Sequence, residues 1–317
     1  MAVATPARRT RAVESSASWR LGDRIALGLC WAAGLLLCAI AAAIVLYTAY
    51  RGLQYLKPEL LWTRPESSSD QSHSGGFLDP LVGTVVLTLI GTAIALPLGV
   101  CTAIWLAEFG RPSWLARAVE SGVEVIAGTP DIVLAIFGLV LFQQQVFSFL
   151  SFTAQGNAVF GRSFLTAGAM MALVALPFVV GATREALQSI PRHVREASYA
   201  LGKTRAATIR RVLLPSCRPG IATGTVLGMG RIVGDTAIVV ILLGATLQLQ
   251  RVDGPPLIGD LRGTGSTLTS YVYNNSPAGE GNASEKAYAA AFVLLLVVVA
   301  LNLVAARIGR GRTAWKR

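Results

Sequence analysis

An all-α protein of six membrane-spanning helices is the fold this sequence predicts, and three observations predict it. Of its 317 residues, 53% are hydrophobic and only 14% charged, a balance too apolar for a water-soluble surface. Six apolar runs are long enough to cross a bilayer, at about 25–50, 80–107, 119–143, 163–183, 219–244 and 287–308. None shows the two-residue alternation of a membrane β-strand, so each reads as a helix.

The first run follows a basic leader, but it is too long for the apolar core of a signal peptide and lacks a small-x-small exit. It reads as a retained anchor behind a cytoplasmic tail, 1–24. The second, third and fourth runs contain Pro97, Pro130 and Pro177, each of which removes a backbone hydrogen bond and kinks its helix, as packing geometry or as a hinge. The second, third and fifth runs are less purely apolar than the others. The sixth, AYAAAFVLLLVVVALNLVAARI, carries no charge before its last arginine. Residues 25–308 form one domain of six spans with a long loop at 184–218, and a tail, 309–317, closes the chain.

The net charge of +11 is placed by topology. With the N-terminus inside, twenty of the 28 Lys and Arg residues fall on cytoplasmic segments, eight of them between Arg184 and Arg218. The positive-inside rule therefore puts both termini in the cytoplasm, and the basic excess does not call for nucleic acid. The four cysteines suggest no disulfide. His73 and His193 lie in loops on opposite sides, which excludes a shared metal site. The loop 65–76, PESSSDQSHSGG, reads as flexible and solvated, and the long loop 245–286, rich in Gly, Pro, Asn and Ser, faces outside.

Two stretches carry functional weight on chemistry alone. Gly202-Lys203-Thr204 looks like the end of a nucleotide-binding P-loop, but the first glycine of that nest falls on Ala197, and a charged helical segment stands where a buried strand should precede it. ATP binding in this chain is excluded. Instead, Ala and Leu residues around 197–201 favour a short helix, Gly202 allows a sharp turn, and a second helical run over 204–213 leads to Pro215 and Pro219, which stop and restart it. The other stretch holds Arg231 and Asp235, four residues apart in the middle third of the fifth run and thus on one helix face. A charge at that depth costs roughly 2.5–3.5 kcal/mol, so it faces a protein interior or a wet path. The pair is either a register-fixing ion pair or part of an anion path, for which the arginine fork is suited. Glu120, Glu124 and Asp131 near the third run are candidate charge partners; Glu108, beside Arg111, reads as an interfacial charge.

The segment EASYALGKTRAATIRRVLLP resembles the cytoplasmic EAA loop of ABC-importer permeases: Glu196-Ala197-Ser198, then Gly202, then Val212-Leu213-Leu214-Pro215 at the family's spacing, with Ser198 in place of Ala. SGGFLDPLVGTVVLTL (74–89), LPLGVCTAIWLAEF (96–109), AGTPDIVLAIFGL (127–139) and GRIVGDTAIVV (230–240) are similar to stretches of phosphate-importer permeases, of the PstA type rather than the PstC type. Asp131 replaces a serine of that pattern, Asp235 a glutamate and Ile238 a proline.

The resemblance implies a type I ABC-importer permease fold with a cytoplasmic coupling helix, in a bacterial inner membrane. It implies a homologous PstC-type permease as partner, two cytoplasmic ATPase subunits that carry ATP and Mg, an extracytoplasmic phosphate-binding protein, and phosphate as cargo. The chain itself would hold no catalytic residue, metal or cofactor. Arg231, Asp235 and Thr236 would line the substrate path, and Glu196, Ala197, Ser198, Gly202, Leu214 and Pro215 would couple to the ATPase. A permease for sulfate or molybdate is the alternative within the class. A secondary carrier would show repeated halves, and none is visible. A membrane-embedded enzyme would need an intramembrane nucleophile or metal cluster, and neither histidine lies in a span.

Overall fold

The computed structural model describes residues 21–66, 75–110, 112–151, 154–155, 158–159, 161–244, 261–277, 279 and 283–309. The tails 1–20 and 310–317, Arg111, residues 67–74 of the loop 65–76, and residues 245–260, 278 and 280–282 of the loop 245–286 lie outside the described residues. Besides a single turn at Glu59–Trp62 and a 3-10 stretch at Gln145–Leu150, the helices are α1 (Leu21–Tyr55), α2 (Leu78–Ile104), α3 (Ser113–Gly128), α4 (Asp131–Phe142), α5 (Phe164–Gln188), α6 (Arg192–Ala200), α7 (Arg205–Thr208), α8 (Leu214–Gly234), α9 (Leu268–Asn275) and α10 (Ser284–Gly309). A π turn, Trp105–Phe109, continues α2, and another, Ile209–Leu213, joins α7 to α8. The described strands are a two-residue antiparallel pair, Ala154–Gln155 with Ala158–Val159.

The chain divides into two compact units, residues 1–50 and 51–317. Within the first, the described part is the 21–50 stretch of α1, apolar around its circumference as a lipid-facing anchor must be. The second unit is built on α2, α5 and α8. α5 is the most buried of the candidate spans, and its first turn is fixed by a capping box: Ser163 accepts the Thr166 N–H while Thr166 accepts the Ser163 N–H. α8 approaches α5 through Gly220, Gly224 and Gly228, four residues apart and so on one face. A Cβ at Gly224 would lie 3.1 Å from Ala182, and one at Gly228 would lie 3.4 Å from Ala175. Small residues permit this approach between helices that gain little hydrophobic energy from leaving lipid.

Two of the six predicted spans are broken. The third is α3 and α4, bent by 109° at Thr129-Pro130, because a residue before proline disfavours the helical region. The fifth is α8, which stops at Gly234; Asp235 is extended, and a short π turn, Val239–Leu243, follows. Among the described residues, four single helices are long and apolar enough to cross a membrane, and the bent pair makes a fifth. The expected stop at Pro215 and Pro219 does not occur: helix runs from Arg205 to Gly234, with Pro219 inside it. The π turn shifts the hydrogen-bond register, with Leu214 N–H reaching Ile209 O, just where Pro215 has no N–H to give.

Candidate functional site

The breaks in the third and fifth spans meet, and charge gathers where they do. Pro130 ends the bend and sets Asp131 at the first position of α4. Arg231 lies in the last turn of α8, and its Nη2 pairs with Asp131 Oδ2. Its Nη1 lies 3.9 Å from Asp235 Oδ2. The expected common helix face for Arg231 and Asp235 is therefore corrected: the helix ends between them, and extended backbone at Asp235 turns its carboxylate back toward the guanidinium. Asp235 is buried, and its Oδ1 accepts the Ile238 N–H at 2.8 Å, so it caps the turn that follows. Thr236, beside it, is half-buried, and its carbonyl accepts Val240 N–H at 2.9 Å. One cation faces two carboxylates where the two helix breaks meet.

Of the three candidate partners for Arg231, the structure brings only Asp131 to it. Glu120 pairs with Arg184 at 2.5 Å, tying α3 to α5, and Glu124 is exposed on α3. Glu108 is not the interfacial charge expected beside Arg111. It is buried, 8% exposed, and accepts Arg195 Nε at 3.0 Å.

The second assembly of predicted residues is the loop 184–218. α6 carries Glu196 and Ala197 on its exposed side, while Ser198 is buried and shares a 2.8 Å hydrogen bond with Thr208. Gly202 takes a left-handed φ of +74°, and its N–H donates to Tyr199 O at 2.9 Å. Nothing lies within 4 Å of where its Cβ would be, so the position asks for a backbone conformation and not for space. Thr204 then caps α7 by accepting Ala207 N–H. Val194, Ile209 and Leu213 bury themselves against Ala103, Val180 and Leu187, which fixes the loop to α2 and α5. Leu214 packs on the same cluster; Pro215 is exposed. Outward, Leu201 is 77% exposed and Tyr199 42%, an apolar tip on a polar helix.

Residues 95–313 match the family of binding-protein-dependent transport system inner membrane components, more than half of the chain. The chain belongs to this family. It is a multi-pass membrane permease, and the loop 184–218 and both helix breaks fall within the matched part. The permease is 33% identical over 238 residues to the phosphate transport system permease protein PstA 1 of Mycobacterium tuberculosis, covering 75% of this chain and 72% of that one. It is 29% identical to the phosphate transport system permease protein PstC of Pasteurella multocida, covering 68% and 70%. In fold it is similar to a chain of a bacterial ABC transporter involved in import of the acidic polysaccharide alginate, at a TM-score of 0.60 and 18% identity, over 93% of this permease and the whole of that chain.

Arg195, Arg205 and the buried state of Glu108 had escaped the sequence reading. Glu108 stood in a family-like stretch, LAEF, but a carboxylate at the end of an apolar run looks the same whether it meets water or a distant arginine.

Proposed function

We propose that the chain is the PstA-type permease of an ATP-driven phosphate importer, pairing with a homologous PstC-type permease to form the translocation path. The observation that carries this reading is Arg231 held between Asp131 and Asp235 where two broken spans meet. At neutral pH phosphate keeps a proton, so it can accept from the guanidinium and donate to a carboxylate in the same site. Sulfate and molybdate carry no such proton, and the two carboxylates repel them. The relatives named as phosphate permeases support the same choice.

In this reading both termini are cytoplasmic. The exposed tip around Tyr199 and Leu201, with Glu196 and Ala197 beside it, seats on one of two ATPase subunits, which hold ATP and Mg. An extracytoplasmic phosphate-binding protein delivers cargo on the other face. ATP binding closes the ATPases and draws the loop inward, the path turns outward, and hydrolysis resets it. All catalytic groups lie on the partner subunits.

The test is uptake of labelled phosphate by vesicles that hold the whole assembly. Arg231→Gln should abolish uptake while the ATPases stay attached, and excess sulfate should leave wild-type uptake unchanged. Full uptake by Arg231→Gln would remove the arginine from the path. Equal competition by sulfate would make the chain a permease for a broader set of oxyanions.

A further inference from the structure

We propose that α2 is a strut that carries movement of the cytoplasmic loop to the Arg231 site and to the loop outside it, with Glu108 as the positioning residue through which the load enters. The inference rests on the importer reading above and names the route its coupling takes.

At the cytoplasmic end, two arginines from the loop grip two adjacent residues of the π turn that continues α2. Arg195, on α6, donates to the Glu108 carboxylate at 3.0 Å, and its other nitrogens donate to Leu187 O at 2.8 Å and Ile190 O at 2.7 Å. Arg205, on α7, donates to the Glu108 carbonyl and lies over the Phe109 ring, 4.6 Å from its centre. Chain continuity already joins α6 to α5 and α7 to α8. It does not join either to α2, which Arg195 meets across 87 residues of sequence. A buried ion pair adds little net stability over an apolar contact, but it strongly penalises any geometry in which one partner is withdrawn. Such a pair suits a joint that must move as one piece.

Along its length α2 packs on α8 one residue from Arg231. Gly91 faces Ile232, the neighbour of Arg231, so closely that a Cβ would come within 2.9 Å of the Ile232 side chain. At the outer end, Thr84 Oγ1 accepts the Leu268 N–H at 2.8 Å and donates to Pro80 O at 2.8 Å. Gly83 lies against the Ser266 carbonyl. Leu268 opens α9, and the next residue, Thr269, donates to the Asp235 carbonyl at 3.4 Å. The outer loop is thus bonded both to α2 and to the break that carries Asp235. Glu108 and Thr84 are separated by about 36 Å of helix, enough to span the apolar core of a bilayer.

The experiment measures ATPase activity and phosphate uptake of the reconstituted assembly, with and without the phosphate-loaded binding protein. Glu108→Gln keeps the side-chain shape and an acceptor oxygen but removes the charge. It should leave basal ATP hydrolysis and subunit attachment unchanged and lower binding-protein stimulation by roughly tenfold, the equivalent of one charge-assisted hydrogen bond. Thr84→Val, at the other end of the helix and remote from any ATPase, should lower stimulation by about fivefold, the equivalent of one neutral hydrogen bond. The double variant should be no worse than Glu108→Gln, since both cut one path. Should Glu108→Gln fail to assemble, Thr84→Val alone decides. Normal stimulation in the assembled variants, or losses that multiply in the double variant, would overturn the strut. A wild-type assembly that takes up no phosphate would overturn the importer reading, and the strut with it.

Discussion

The Asp235 carboxylate accepts the Ile238 N–H through one oxygen and places the other 3.9 Å from Arg231, so one side chain caps a helical turn and faces a cation. The two roles separate by substitution. Asparagine keeps an oxygen for the Ile238 N–H and loses the charge; alanine loses both, and an absent cap costs about 1 kcal/mol. Asp235→Asn should therefore unfold near the wild-type temperature yet transport poorly, whereas Asp235→Ala should lose both stability and transport. Thermal unfolding and uptake measured on the same preparations check this. An asparagine variant as unstable as the alanine one would assign Asp235 to structure. Arg231 and Asp235 were legible in the sequence because charge inside an apolar run is costly and therefore conspicuous. The choice among Glu120, Glu124 and Asp131 was not. All three sit near the same run, and it takes the 109° bend to carry Asp131 to Arg231 and leave Glu120 facing Arg184.

At the scale of elements, hydropathy marked the membrane-crossing stretches but missed the buried helix α9 inside the loop 245–286, and it passed over the breaks, since Thr129-Pro130 and Gly234-Asp235 barely lower the average of a long window. The local chemistry was visible at Pro130, where the residue before proline avoids the helix, and weaker at Gly234. The reverse error occurred at Pro215 and Pro219: proline suggested a stop, and a π turn absorbed it. The turn at Gly202 was legible because a glycine closing a short helix has one common use, the left-handed residue after the last turn. With open space around it, this position is governed by φ alone, which gives a sharp expectation. Gly202→Asn, which tolerates left-handed backbone, should keep the ATPases attached to membranes. Gly202→Val should reduce attachment, since a β-branched residue at positive φ costs about 1–2 kcal/mol and would rotate the exposed tip of α6. Co-sedimentation of the ATPase with membranes distinguishes the two; equal attachment would show that the loop docks without this turn.

For the whole molecule, orientation decides which loop meets which partner, and it follows from helix length and charge together. α5 has 25 residues, which at about 1.5 Å each exceeds the roughly 30 Å apolar core of a bilayer, so its two ends emerge on opposite sides. After Gln188 the chain carries seven basic residues between Arg192 and Arg218, while before Ser163 the nearest is Arg162 alone. Ser163 N–H bonds Leu242 O and Phe164 N–H bonds Gly263 O, which puts the N-terminal end of α5 on the same side as α9. Cysteines introduced at Ser189 and at Tyr273, both exposed, should therefore label from opposite sides once Cys30, Cys38, Cys101 and Cys217 are replaced by alanine. A membrane-impermeant thiol reagent should modify Tyr273→Cys on intact cells and Ser189→Cys only after the membrane is opened. The opposite pattern would put α6 outside, out of reach of any ATPase, and the coupling role of the Glu196–Pro215 loop could not stand. Labelling of both from outside would mean that α5 does not cross, and with it the α2–α5–α8 core would lose its place in the bilayer.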